Sequence, residues 1–99
     1  MDYNTNIGDA IKHFRKEQGL TQMDLCSKTG YSQTYLSKVE RGNKTPTIAF
    51  INNICKHLKV YPVLLFWHSI KEKDIKPSKR ENFKILKPSI DIMFLEIFK

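Results

Sequence analysis

The feature that most constrains this chain is a pair of helix-start signals separated by a very short link. Thr21 followed by Asp24 resembles a capping box, a pattern in which each side chain accepts a hydrogen bond from the other residue's backbone N–H. Ser32 can cap a following helix, and Gly30 suits the left-handed backbone that ends the preceding one. Because only Gly30 and Tyr31 join the two helices, we expect them to cross steeply.

Helix signals continue on both sides of this pair. Ile7, Ile11 and Phe14 have the spacing of one apolar helix face, and we expect Asn6 to cap that helix and Gly19 to end it. Such signals recur through the first seventy residues with almost no strand-like alternation. The sequence therefore predicts an all-α fold.

Two more helices are predicted before the composition changes. Pro46 and Thr47 open a fourth helix that runs to about Leu58, and a fifth begins at Pro62 and ends near Lys71. Proline suits these starts because the first turn of a helix leaves its N–H groups unpaired in any case. The sequence thus predicts five helices in the first seventy residues.

The remaining residues differ in character. Residues 71–80 are charged and are expected to form a connector. A capping box from Ser78 to Glu81 predicts a short helix that Pro88 stops, and Ser89 can cap a last apolar helix. We therefore divide the chain into residues 1–70 and a tail of residues 71–99.

Composition limits the possible partners and location. The chain has 17 Lys and Arg against 10 Asp and Glu, a net charge of +7 that favours a polyanionic partner. No apolar run reaches the roughly 18 residues that a membrane span needs, and Met1 to Asn6 lack a secretory pattern. We expect a cytoplasmic protein with no membrane contact, in which Cys26 and Cys55 are free thiols because neither belongs to a CxxC pair.

Catalytic chemistry finds little support in the sequence. His13, His57 and His68 fall on three separate predicted helices and lack metal-ligand spacing. Neither a nucleophile elbow nor a phosphate-binding loop is present. We expect no enzyme activity, no cofactor and no metal.

The segment from Gln22 to Val39 follows the pattern of a helix-turn-helix. Leu25 points inward, Cys26 is small where the helices approach, and Leu36 and Val39 anchor the second helix. The runs Leu20-Thr-Gln-x-x-Leu25 and Tyr31-Ser-Gln-x-x-Leu-Ser-Lys-Val-Glu-Arg-Gly42, followed by Pro46-Thr47, resemble the Cro and phage-repressor family of regulators, also called the xenobiotic-response-element family. The resemblance extends from about Ile7 to Trp67.

This resemblance implies a five-helix DNA-binding bundle with a short helical C-terminal extension, usually dimeric on double-stranded DNA. Residues 32–41 would be the recognition helix. The implied base contacts are Gln33, Thr34, Ser37 and Lys38. The implied phosphate contacts are Gln22, Ser32, Tyr35, Asn43 and Lys44. Arg15 and Glu40 match a pair that bridges the first helix to the recognition helix.

Two positions depart from the family pattern, and a third residue, Tyr35, has two possible roles. Cys26 replaces the usual alanine, and Lys59 replaces a common glycine, where a left-handed lysine would cost about 1 kcal/mol. Tyr35 can either flank a phosphate or pack on Met23.

The apolar end of the chain suggests a partner. Residues 63–67 form an unbroken apolar run. The tail can cover this run by folding back, a second copy of the chain can cover it, or both can do so. The predicted dimer interface comprises Leu64, Phe66, Trp67, Phe94 and Phe98. We expect a repressor that binds a palindromic operator as a homodimer. The alternative is an antitoxin or other interaction module whose tail binds a protein such as a toxin.

Overall fold

A computed structural model of the chain describes residues 3–98, and all regular structure in that range is helical. The helices are α1 Tyr3–Glu17, α2 Gln22–Thr29, α3 Gln33–Glu40, α4 Ile48–Leu58, α5 Pro62–Ser69 and α6 Arg80–Phe98. Two 3₁₀ turns, Glu72–Asp74 and Pro77–Lys79, connect α5 to α6. The predicted all-α bundle with a helical C-terminal extension is confirmed.

The helix-turn-helix is held by the side chains that the sequence indicated. Asp24 N–H donates to the Thr21 hydroxyl at 3.0 Å, and Thr21 N–H donates to the Asp24 carboxylate at 2.9 Å. The Ser32 hydroxyl accepts from Tyr35 N–H at 3.1 Å and so starts α3. Gly30 adopts a φ of 81°, which ends α2 and turns the chain towards α3.

The core lies where α1 packs against α3 and α5, with α4 closing it from the side of α2. The fully buried large side chains include Ile7, Ile11, Leu25, Leu36, Phe50, Ile51, Ile54, Leu58 and Leu65. The helices α1 and α3 approach most closely at Gly8. A Cβ there would overlap the carbonyl oxygen of Val39 and lie 2.8 Å from that of Glu40, so the crossing requires glycine.

The start of α1 differs from the prediction. Asn6 is not a cap; it lies within the helix, is 1% exposed, and donates its side-chain N–H to Asp74 at 2.7 Å. The same Asp74 oxygen accepts the Lys71 N–H at 2.8 Å. The connector thus returns to α1 and supplies the buried amide with a partner 68 positions away, which local spacing could not reveal.

The tail also differs from the prediction. Pro88 does not stop a helix and Ser89 does not cap one, because α6 runs through both positions as 19 continuous residues. Trp67 of α5 contacts Phe83 and Phe94, at ring-centroid distances of 6.1 and 5.4 Å. These contacts hold both halves of α6 and offset the hydrogen bond that proline removes. Within residues 3–98, no helix is long and apolar enough to cross a membrane.

Candidate nucleic-acid interface

Helix α3 has one buried face and one exposed polar face. Leu36 and Val39 are 1% and 0% exposed and fix the helix on the core. Gln33, Thr34 and Lys38 are exposed on the opposite side, and Ser37 is half-buried beside them. The buried pair therefore determines which side chains a ligand outside the bundle can reach.

A shallow polar depression of about 260 Å³ runs along the exposed face. Its lining residues are Gln33, Thr34, Ser37 and Arg41. Three of them belong to the predicted base-contacting set, and Lys38 is exposed next to them without lining the depression. Arg41 was missed, although its position one turn after Ser37 could have indicated it. Its guanidinium adds a fixed charge and several donors to this surface.

The backbone that follows α3 has a defined turn. Gly42 has a φ of 78°, and its N–H donates to Val39 O at 3.0 Å. Asn43 N–H donates to Lys38 O at 2.9 Å, so the two bonds together form a Schellman motif. This turn leaves the side chains of Asn43 and Lys44 exposed directly after the helix.

The start of α2 is tied to the end of α3 by a buried carboxylate. Glu40 is 6% exposed and accepts hydrogen bonds from Arg15 Nε at 2.8 Å and from Gln22 Nε2 at 3.1 Å. The hydrogen bond to Glu40 raises the pKa of Arg15, and burial opposes it. Gln22 is therefore held at the first position of α2 by a contact within the protein.

Tyr35 lies in an aromatic cluster. Its ring stacks on Tyr31 at a centroid distance of 5.6 Å and meets the edge of Phe50 at 4.9 Å. The phenol is half-buried, so packing accounts for its ring. Its predicted phosphate contact stays a prediction. Ser32 is exposed, and its hydroxyl can still donate a hydrogen bond while its oxygen caps α3.

The predicted dimer residues mostly make contacts within the chain. Leu64 is only 4% exposed and belongs to the core of the bundle, so a second copy cannot reach it; this assignment is wrong. Trp67 Nε1 donates to Asp91 at 2.6 Å, which fastens α6 to α5. Phe66 and Phe94 pack against the core, and Phe98 contacts Tyr61 and Phe94.

Two histidines that the sequence placed on separate helices meet in the structure. The rings of His13 and His68 stack with centroids 4.1 Å apart, and Phe14 meets both edge-on. Burial and, to a smaller extent, the neighbouring His13 lower the pKa of His68 to about 4. Across the described range 3–98, no group of three His, Cys, Asp or Glu side chains could hold a metal ion. The two histidine rings pack against each other between α1 and α5.

A capped helix, a glycine turn and a second helix with an outward polar face define a helix-turn-helix domain for double-stranded DNA. Comparison with known proteins agrees, because residues 6–65 match the family described as "Helix-turn-helix domain". The chain belongs to this family, and it is a DNA-binding transcriptional regulator of the Cro and phage-repressor type.

Individual relatives and structures give the same assignment. The chain is 37% identical over 65 residues to the HTH-type transcriptional regulator y4dJ of Sinorhizobium fredii, covering 66% of this chain and 84% of that one. It is 28% identical to the immunity repressor protein of Bacillus phage phi105, covering 89% of this chain and 69% of the repressor. The chain spans about half the length of several other curated relatives.

Among solved structures, the restriction-modification controller protein C.Esp1396I, determined as a tetramer with its natural 35 base-pair operator, superposes with a TM-score of 0.60. It is 35% identical, and the match covers 66% of this chain and 86% of the controller protein.

Proposed function

We propose that this regulator is a repressor that binds a palindromic operator as a homodimer and inserts residues 32–41 into the major groove. The observation that carries the proposal is the exposed polar row Gln33, Thr34, Ser37 and Arg41 on α3. The phage repressor among the relatives supports the repressor role. The acidic side chain of α2 is Asp24, whose carboxylate is used in the helix cap, so this surface offers little for contact with a polymerase.

Each side chain of the row suits base edges in a different way. Gln33 can donate to and accept from adenine, whereas Lys38 and Arg41 donate to guanine O6 and N7. Thr34 and Ser37 discriminate less, although the Thr34 methyl can contact a thymine methyl. A bidentate contact of this kind contributes about 1 to 3 kcal/mol of discrimination between bases.

The surrounding residues are proposed to fix the position of the protein on the duplex. Asn43 and Lys44 are exposed after α3 and are placed to meet the phosphate backbone. Gln22, Ser32 and Tyr35 complete the proposed phosphate contacts, with Gln22 oriented by Glu40. The net charge of +7 supports a strong dependence of binding on salt.

The proposed dimer contact lies on α6. Large apolar side chains along this helix are 44% to 65% exposed: Ile85, Leu86, Ile92, Met93, Leu95 and Ile97. A helix that is apolar nearly all round is normally covered, and α5 covers only one side. A second copy would bury the rest and set two recognition helices about 34 Å apart, as a palindrome requires. We accordingly propose residues 1–70 for DNA binding and 71–99 for dimerisation.

We further propose that the regulator acts in the cytoplasm and has no catalytic role. Both points follow from an assignment to genomic DNA as its target, and the regulators among its relatives support them.

The DNA-binding proposal is tested by selecting bound fragments from genomic DNA and measuring affinity by gel shift. Gln33→Ala, Lys38→Ala and Arg41→Ala should each lower the preference for the selected site over random DNA by about tenfold or more. Lys12→Ala removes an exposed lysine of α1 and should leave that preference unchanged. If all three α3 variants bind the selected site as tightly as the wild-type chain does, the assignment is refuted.

Sedimentation equilibrium tests the dimer. Leu86→Lys with Met93→Lys charges one row of α6, and Ile85→Lys with Ile92→Lys charges another. At least one double variant should sediment as a monomer. A dimer in both cases would exclude α6 as the interface. A monomeric wild-type chain would exclude the homodimer and favour the alternative, in which α6 binds a different protein such as a toxin.

A further inference from the structure

A cleft of about 420 Å³ shares no lining residue with the polar row of α3. It forms where the end of α4, the turn into α5 and the last described residue of α6 meet. Its apolar surface comes from Cys55, Val60, Pro62 and Phe98. The volume falls within the range of small-molecule sites, about 300 to 1,000 Å³.

The turn between α4 and α5 preforms the walls of this cleft. Lys59 adopts a left-handed conformation with φ 58° and ψ 39°, and Val60 N–H then donates to Cys55 O at 3.1 Å. Cys55 and Val60 are 1% and 6% exposed, so the core holds them in place. On the opposite wall, the Phe98 ring meets Tyr61 at a centroid distance of 5.6 Å.

The charge of the cleft has one sign. Lys56 and Lys59 are both exposed at its edge, and the lining contains no aspartate or glutamate. Neither lysine takes part in any ion pair found within residues 3–98. An apolar floor below two unpaired ammonium groups complements a ligand with an apolar body and one anionic end.

We propose that this cleft binds a free apolar monocarboxylate of medium chain length. The alkyl chain would lie over Cys55, Val60 and Phe98, and the carboxylate would be held by Lys56 and Lys59. The cleft and the polar row of α3 have no lining residue in common, so the proposal does not depend on the operator.

Calorimetric titration of the full chain with sodium octanoate, below its micelle concentration, tests the proposal. Octanoate should bind saturably to one site per chain, about tenfold more tightly than octyltrimethylammonium, which has the same chain and the opposite charge. Octan-1-ol, which lacks the charge, should also bind more weakly than octanoate. Equal affinities for the anion and the cation would overturn the proposal, as would no binding of octanoate.

Variants locate the site. Lys56→Gln with Lys59→Gln should weaken octanoate binding by about tenfold. Lys12→Gln with Lys16→Gln removes the same charge from two exposed positions of α1 and should leave the affinity unchanged. Octanoate should shift the NMR resonances of residues 55–61. If it shifts only residues 85–95, the ligand has bound the exposed apolar face of α6, and the cleft is excluded.

Discussion

Arg15 donates hydrogen bonds to both carboxylate oxygens of Glu40, from Nε at 2.8 Å and from Nη2 at 2.9 Å. The side chains are 7% and 3% exposed, and Arg15 Nη1 also donates to Leu20 O at 2.8 Å. Arg15→Met should therefore leave a buried carboxylate without its cation. We expect the free energy of unfolding, measured with urea by circular dichroism, to fall by about 3 to 5 kcal/mol.

The matched control removes both charges. In Arg15→Met with Glu40→Leu, no charge is left buried, so much of the lost stability should return. If Arg15→Met unfolds at the same urea concentration as the wild-type chain, the Arg15–Glu40 pair orients α1 and α3 but does not stabilise the fold.

Gly8 sits against the carbonyl groups of α3, and even one methyl group has no room there. Gly8→Ala should force α1 away from α3 and lower the free energy of unfolding by about 1 to 3 kcal/mol, despite alanine's better helix propensity. Asp9→Ala changes the adjacent exposed residue and should shift stability by only about 0.5 kcal/mol. Thermal unfolding of both variants checks the difference; a Gly8→Ala protein as stable as Asp9→Ala would contradict the close approach.

The sequence predicted the features that short-range chemistry determines. The Thr21 and Ser32 caps, the Gly30 turn and the anchoring of α3 by Leu36 all act within a few residues, so spacing alone could identify them. The polar row of α3 was implied by the resemblance to the Cro and phage-repressor family. Arg41 belonged to that row and was omitted although the helical period included it.

Features that depend on distant partners were not predicted correctly. The burial of Asn6 depends on Asp74, and the continuity of α6 through Pro88 depends on packing against Trp67. Leu64 was assigned to a dimer because an apolar run does not show which of its members face the core. In each case tertiary contacts overrode a correct local rule.

Lys59 is the one non-glycine residue with positive φ within residues 3–98. Lys59→Gly should relieve the left-handed strain and raise the free energy of unfolding by about 0.5 to 1 kcal/mol, since the more flexible unfolded chain offsets part of the gain. Lys56→Gly, inside α4, should instead lower it by about 1 kcal/mol. Urea unfolding of the two variants should therefore move the midpoint in opposite directions.

His68 gives the folded protein a dependence on pH. Burial and the neighbouring His13 lower its pKa from 6.5 to about 4, with Lys71 and Lys87 acting in the same direction and Asp91 opposing them. The unfolded chain therefore binds this proton more readily than the folded one. The contribution of neutral His68 to the free energy of unfolding is fully present above about pH 6.5 and is lost as the pH falls towards 4.

His68→Phe keeps an aromatic ring against His13 and Phe14 but cannot titrate. Urea unfolding at several pH values between about 7.5 and 4.5 should show a clear loss of stability for the wild-type chain and a smaller loss for His68→Phe. His57→Gln removes a different half-buried histidine, for which this mechanism predicts that the wild-type slope persists. Identical slopes for the wild-type chain and His68→Phe would show that the stacked pair does not resist protonation.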